Sequence, residues 1–97
     1  MTEMKDDGSV YTAYLRVQNS SRNSRKLWIE PWGDEILMQP GATFDIVAKG
    51  PEGDCLEVAN GDSDIVVYGW PKSTLVVLQA GARLMEYLTP APSTPLR

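Results

Sequence analysis

The chain has 97 residues, 42% of them hydrophobic, and a formal net charge of −4 at pH 7. A chain of this length forms one domain that buries roughly 60–70% of the surface it exposes when unfolded, so one core without disulfide or metal staples is expected. Residues 1–26 carry a net charge of +2 and residues 27–97 a net charge of −6. The acidic body argues against nucleic acid and anionic membrane as partners, because phosphate groups are bound by clustered lysine and arginine.

Two residue types restrict the chemistry. Histidine is absent, which removes the usual general base near neutral pH, the Ser-His-Asp and Cys-His arrangements, and most zinc and copper sites. Cys55 is the only cysteine, so no disulfide forms within the chain and a reducing compartment is indicated. The N-terminus is polar and lacks the apolar run of a signal peptide. We therefore predict a cytoplasmic protein with no metal, no cofactor and no catalytic residues.

The two ends of the chain differ from its middle. Residues 1–8 are polar and charged, and we predict that they are disordered. Residues 89–97 contain three prolines, so this tail is predicted to be extended or disordered. Residues 9–88 are predicted to form a single all-β domain.

The domain is predicted to begin with a strand from about Val10 to Gln18. The better core face of this strand consists of Tyr11, Ala13, Leu15 and Val17. The polar loop from Asn19 to Arg25 follows and contains nothing that would hold a strand or a long helix. The basic residues in and beside this loop are interpreted as a solvated cluster rather than an anion site.

Two turns divide the stretch from Trp28 to Val47. Pro31 ends the first strand of the stretch, and Gly33 allows the backbone to reverse after it. Pro40-Gly41 has the residue order typical of a type II turn. The strand over residues 43–49 then alternates, with Phe44, Ile46 and Ala48 on its apolar side. This period of two predicts one buried face and one wetter face.

The second half of the domain contains further short strands. Cys55 to Ala59 is predicted to be a strand that buries the thiol, and Asn60-Gly61 is a frequent hairpin signal. The runs Ile65–Trp70 and Thr74–Gln79 are apolar on both sides, which places them in the middle of sheets. The last predicted strand is Arg83–Leu88.

Turn signals recur about every ten residues and predict seven or eight short strands. The predicted fold is a small antiparallel β-sandwich with a cupredoxin-like or immunoglobulin-like architecture, and the alternative is a small β-barrel or jelly roll. The strand spacing and the Pro-Gly turn resemble those of cupredoxin-like sandwiches, but the likeness covers no motif. A blue-copper site requires two histidines and a cysteine, and the histidine-dependent metal site of cupins meets the same objection.

The tryptophans are the candidate binding residues. Trp28, Trp32 and Trp70 are many indole rings for a small domain, and two of them lie beside a turn proline. In one interpretation Trp28 and Tyr68 fill the core while Trp32 and Trp70 cover its ends, since large rings bury much area. In the other, Trp32 and Trp70, with Trp28, form an exposed platform for a sugar or a partner protein.

The carboxylates give weaker candidates. Asp34 and Glu35 are adjacent, so on a strand their side chains point to opposite faces, which is unfavourable for an acid–base pair. Asn60, Asp62 and Asp64 alternate like the start of a calcium loop, but the glycine and distal glutamate of an EF-hand are missing. A polar hairpin is the preferred interpretation.

Three functional hypotheses follow. The first is a non-catalytic interaction module that self-associates as a homodimer, because the edges of a sandwich invite strand pairing and the run Leu75–Leu78 is apolar on both sides. The second is a carbohydrate or small-ligand binding domain that uses the exposed tryptophans. The third, a carboxylate-based hydrolase, requires two acids to converge across strands.

Overall fold

Proline and glycine interrupt every apolar run before a helix can form, and the computed structural model accordingly consists of strands and turns. It describes residues 10–92, and no part of that range is helical. The eight strands are β1 (Val10–Gln18), β2 (Arg25–Glu30), β3 (Asp34–Met38), β4 (Thr43–Pro51), β5 (Glu57–Asn60), β6 (Asp64–Tyr68), β7 (Thr74–Gln79) and β8 (Ala82–Tyr87). The predicted all-β domain of seven or eight short strands is confirmed.

The strands form two sheets of four. Sheet A has the order β1-β4-β7-β8, and sheet B has the order β3-β2-β6-β5. Five of the six ladders are antiparallel, as predicted, whereas β2 and β6 run parallel. The parallel ladder places Trp28 beside Val66 and Glu30 beside Tyr68. It requires the chain to leave sheet B after β3, cross into sheet A as β4, and return as β5 and β6.

The core lies between the two sheets and is made by alternate residues of their strands. Sheet A contributes Val17, Phe44, Ile46, Ala48, Leu75, Val77 and Tyr87, and sheet B contributes Leu27, Ile29, Met38, Ile65 and Val67. The predicted inward face of the strand over residues 43–49 is therefore confirmed. In β1, Ala13 and Leu15 are only partly buried against this core because β1 is an edge strand. The arrangement is a two-layer β-sandwich.

The turn before β4 takes the predicted form. The amide of Ala42 donates to the carbonyl oxygen of Gln39 at 2.9 Å, so Pro40 and Gly41 occupy the two central positions. Gly41 has a φ of +84°, which the third position of a type II turn requires. Gly33 likewise has a φ of +75° in the turn between β2 and β3.

A buried asparagine connects this turn to the end of β1. Asn19 has no exposed surface, and its amide nitrogen donates to the carbonyl oxygens of Asn23 and Met38, each at 2.9 Å. Its amide oxygen accepts from the backbone and hydroxyl of Ser21. Buried polar groups are costly unless paired, and here the pairing joins three segments that the chain separates.

Cys55 and the two ends of the chain are the places where the sequence predictions differ from the structure or fall outside the residues it describes. The predicted burial of Cys55 is wrong, because the thiol is exposed in the loop before β5, which begins at Glu57. Within the tail predicted to be disordered, Ala91 is buried, and its backbone exchanges hydrogen bonds with Lys72 and Ser73. Residues 1–9 and 93–97, which include the predicted disordered N-terminal segment, lie outside the described residues.

A matched pair of leucines in sheet B tests the position of the core. Leu27 in β2 is fully buried, whereas Leu37 in the neighbouring strand β3 is 54% exposed. We expect Leu27→Ala to lower the free energy of unfolding by about 2–5 kcal/mol, since it leaves a cavity between the sheets. Leu37→Ala should change it by less than about 0.5 kcal/mol. Urea denaturation followed by circular dichroism measures both, and equal effects would contradict this placement of the core.

Candidate ligand-binding groove on the outer face of sheet B

The outer face of sheet B carries the side chains that alternate with the core residues. On β2 these are Lys26, Trp28 and Glu30, because Leu27 and Ile29 face inward. On β6, Val66 and Tyr68 point outward for the same reason. The ladder between β5 and β6 adds Glu57 opposite Tyr68. Two aromatic rings and an aliphatic side chain thus form a floor across two adjacent strands.

This floor is the bottom of an open groove of about 950 Å³, which we call the sheet B groove. Its floor and sides consist of Trp28, Glu30, Glu57, Asp64, Val66 and Tyr68. Its ends and rim consist of Pro31, Asp54, Cys55, Gly69, Trp70, Pro71, Ala91 and Pro92. The volume lies in the range of about 300–1,000 Å³ that is typical of ligand sites.

Trp28 is held in place by a carboxylate. Its indole nitrogen donates to Oδ2 of Asp64 at 3.0 Å, and the hydroxyl of Ser63 donates to Oδ1 of the same group at 2.9 Å. The hydrogen bond from Ser63, followed by that from Trp28, lowers the pKa of Asp64 below its usual range. The indole donor is therefore already used within the protein, and the ring lines the groove.

The groove is rich in acceptors and poor in cations. Four carboxylates line it, those of Glu30, Asp54, Glu57 and Asp64, and its described lining contains neither lysine nor arginine. The two basic residues of β2, Arg25 and Lys26, do not line the groove, although both are close enough to Asp64 to lower its pKa. The guanidinium of Arg25 donates to the carbonyl oxygens of Gly61 and Asp64, and the ammonium of Lys26 lies 3.8 Å from a carboxylate oxygen of Glu35. The described lining of the groove therefore carries acidic side chains and no basic ones.

Trp70 contributes only to the rim of the sheet B groove. It is 2% exposed, and its indole nitrogen donates to the carbonyl oxygen of Pro51 at 2.9 Å. Its ring packs beside Tyr11, with ring centroids 6.0 Å apart. Gly50 gives the indole room, because a Cβ there would lie 2.9 Å from its nitrogen. The platform interpretation is therefore wrong for Trp70, because the ring is buried against the glycine at the end of β4.

Trp32 covers the end of the sandwich. Its indole nitrogen donates to the carbonyl oxygen of Thr89 at 2.8 Å, and its ring centroid lies 5.5 Å from that of Tyr87. Its far edge rests on Gly69, where a Cβ would lie 2.9 Å away. Trp32 and Trp70 therefore do not form a shared exposed platform. They cover the end of the core, as in the first of the two interpretations given for the tryptophans.

The first interpretation is wrong about Trp28 and Tyr68, because both rings lie on the outer face of sheet B rather than in the core. The alternation in β2 and β6 is the signal that would have placed them there. Glu30, Glu57 and Asp64 are brought together by the strand register and Asp54 by the loop before β5, and no local pattern reveals either. Whether Trp28 binds a ligand stays a prediction.

The carboxylates considered for hydrolysis have other partners. Asp34 accepts a hydrogen bond from the hydroxyl of Tyr87 at 2.8 Å and another from the backbone amide of Glu35. Burial, and then this contact with Asp34, raises the pKa of Tyr87 above its usual range. Within residues 10–92, no group of three or more acidic or cysteine side chains is arranged to hold a metal ion.

No protein-family model matches the chain, and no curated protein and no solved structure is significantly similar to it. The part of the chain that the structure describes contains no helix long and apolar enough to cross a membrane.

The packing of Trp70 on Gly50 can be tested by adding a methyl group. In Gly50→Ala the new Cβ would lie 2.9 Å from the backbone Cα of Ser73 as well as from the indole nitrogen. We expect a loss of about 1–3 kcal/mol in the free energy of unfolding, because a closely packed backbone must move. Gly61→Ala is the control, since its Cβ would make only an ordinary contact at 3.6 Å. Equal stability of the two variants in urea would contradict the close packing.

The contact between Asp64 and Trp28 predicts a linked titration. Because the folded pKa of Asp64 is lowered, its contribution to stability is present above the unfolded value of about 3.9 and is lost as pH falls through the folded value. In NMR spectra, the indole proton of Trp28 should shift with the carboxyl carbon of Asp64, with a shared midpoint below the usual range. The Asp64→Asn variant should abolish this shift. A midpoint at or above the usual value would contradict the hydrogen bond.

Proposed function

We propose that this protein is a non-catalytic binding module that holds a basic peptide segment of a partner protein in the sheet B groove. The observation that carries the proposal is the aromatic floor of Trp28 and Tyr68 surrounded by four carboxylates. Cations are attracted to the faces of aromatic rings, and most strongly to tryptophan. They are also attracted to carboxylates, so both parts of the lining favour the same kind of ligand.

The hydrogen-bonding capacity of the groove supports a cation over a sugar. A sugar hydroxyl both donates and accepts, whereas the carboxylates that line the groove can only accept. The indole donor of Trp28 is already bound to Asp64. A guanidinium or ammonium group has several donors and no acceptor, and it therefore matches this lining better than a carbohydrate does.

The shape of the groove supports a peptide over a small ion. The groove extends across β2, β6 and β5 and is bounded by the loop at Asp54 and by the segment Ala91–Pro92. A volume of about 950 Å³ is larger than a single cationic side chain needs. A short peptide would place a basic side chain over Trp28 and its backbone along the rim.

Two further observations support the proposal. The carboxylate of Asp34 is hydrogen-bonded to Tyr87 at the end of the sandwich, away from the groove, which supports a binding rather than a catalytic role. Cys55 is exposed and free, and an unpaired accessible thiol is typical of a reducing compartment. We accordingly infer a cytoplasmic location.

Calorimetric titration with matched peptides tests the charge requirement. The probe is Gly-Arg-Gly-Arg-Gly, and the control is the same peptide with citrulline in place of arginine, which keeps the shape and removes the charge. We expect the arginine peptide to bind at least about tenfold more tightly, a difference of about 1.4 kcal/mol. Its affinity should fall as salt is added, because exposed charges are screened. Equal binding of the two peptides would contradict the proposed cation specificity.

Variants locate the binding surface. Glu57→Gln removes one charge from the groove and should weaken the arginine peptide about two- to fivefold. Glu52→Gln is the matched control, because Glu52 is exposed in the neighbouring loop and does not line the groove. Trp28→Leu should weaken binding about three- to thirtyfold through loss of the cation–π contact. Binding that tolerates Trp28→Leu and responds equally to both glutamate variants would place the peptide elsewhere.

A further inference from the structure

We propose that β1 is a dimerisation strand, and that two copies of this chain join through antiparallel pairing of β1 with β1 of the second copy. The proposal concerns the edge of sheet A and is independent of the sheet B groove. It would extend sheet A into a continuous sheet of eight strands. The observation that carries it is the contrast between β1 and the other three edge strands of the described domain.

β1 is long and regular, and it lies at the edge of sheet A. All nine of its residues pair in unbroken register with β4, from Val10 opposite Pro51 to Gln18 opposite Thr43. Its other side has no partner strand within residues 10–92. A long, flat edge without proline or bulge is a ready template for another strand.

The other edges carry features that discourage pairing. β5 has four residues and β3 has five, which leaves little backbone to pair. The ladder between β7 and β8 shifts register between Val77 and Leu78 of β7, and on β8 Arg83 forms an ion pair with Glu86. Short length, bulges and charged side chains are the usual protections of sheet edges.

The one charge on β1 does not protect it. Arg16 is directed across its own sheet, where its guanidinium Nε lies 2.7 Å from a carboxylate oxygen of Asp45 on β4. The remaining side chains of the strand are apolar or neutral. Val10 and Tyr14 are 64% and 78% exposed on the outer face, and Ala13 and Leu15 are only partly buried on the inner face. Both faces of the strand therefore have apolar surface that a neighbouring strand would cover.

The sequence of β1 is compatible with pairing to itself about its centre. Tyr14 is the central residue of Val10–Gln18, so a two-fold axis there places Tyr14 opposite Tyr14 of the second copy. Ala13 then lies opposite Leu15 of the second copy on the core side, where a small side chain meets a large one. An antiparallel pair of this length makes about eight to ten main-chain hydrogen bonds. In this register Arg16 faces Thr12 rather than a like charge, and the small–large pair occurs on both sides of the axis, which favours a second copy as the occupant of the edge.

A cysteine at the axis tests the geometry directly. Residues directly opposite in an antiparallel pair have Cα atoms about 4.5–5.5 Å apart, within the range that a disulfide spans. In a Cys55→Ser background, Tyr14→Cys should form a covalent dimer under mild oxidation at least about tenfold faster than Thr12→Cys. Thr12 lies on the same face of the same strand, but would face Arg16 of the second copy. Equal rates for the two variants would overturn the proposed register.

Sedimentation measures the association itself. In reductant, the wild-type chain should sediment at twice its mass of 10.7 kDa. Tyr14→Lys places like charges opposite each other at the axis and should weaken the dimer at least about tenfold. Val58→Lys, at an exposed position on β5, is the control and should leave the dimer unchanged. A monomeric wild-type chain at about 100 µM, or equal losses in both variants, would overturn the proposal.

Discussion

The parallel pairing of β2 with β6 is the constraint on which the rest of the molecule depends. Both strands are central in sheet B, and both have apolar side chains on both faces. Their inner residues are nearly inaccessible and hold the two sheets together. Their outer residues form the floor of the sheet B groove. Since side chains alternate along a strand, a register shift of one residue would exchange these two surfaces, so the core and the groove are fixed by the same ladder.

The end of the sandwich near Trp32 determines how that groove is bounded. Trp32 and Trp70 both donate their indole protons to backbone carbonyls of other segments, those of Thr89 and Pro51. The segment that follows β8 then returns across the turn at Ser73 and contributes Ala91 and Pro92 to the groove. Two glycines, Gly50 and Gly69, give these rings the space they need. Trp32 and Trp70 are thus structural at this end, while Trp28 is the indole on the floor of the sheet B groove.

Much of the fold could be predicted from the sequence because its signals are local. Turn residues such as Pro40-Gly41 and alternation such as that of residues 43–49 act within a few positions, and both gave the correct structure. The burial of Trp70 depends on Gly50, which is twenty residues away in the chain. Gly50 lies in sheet A, whereas Trp70 follows the sheet B strand β6. The convergence of Glu30 and Glu57 depends on their shared neighbour Tyr68. Such contacts arise from register and strand order, which a single sequence does not display.

Cys55 gives this arrangement a practical consequence. It is the only cysteine of the chain, it is exposed, and it lies at the rim of the sheet B groove. A maleimide dye attached there would be a single label beside Trp28 and would need no engineered residue. Its emission would report when solvent leaves the groove, so the natural sequence already contains a position for an optical sensor of occupancy.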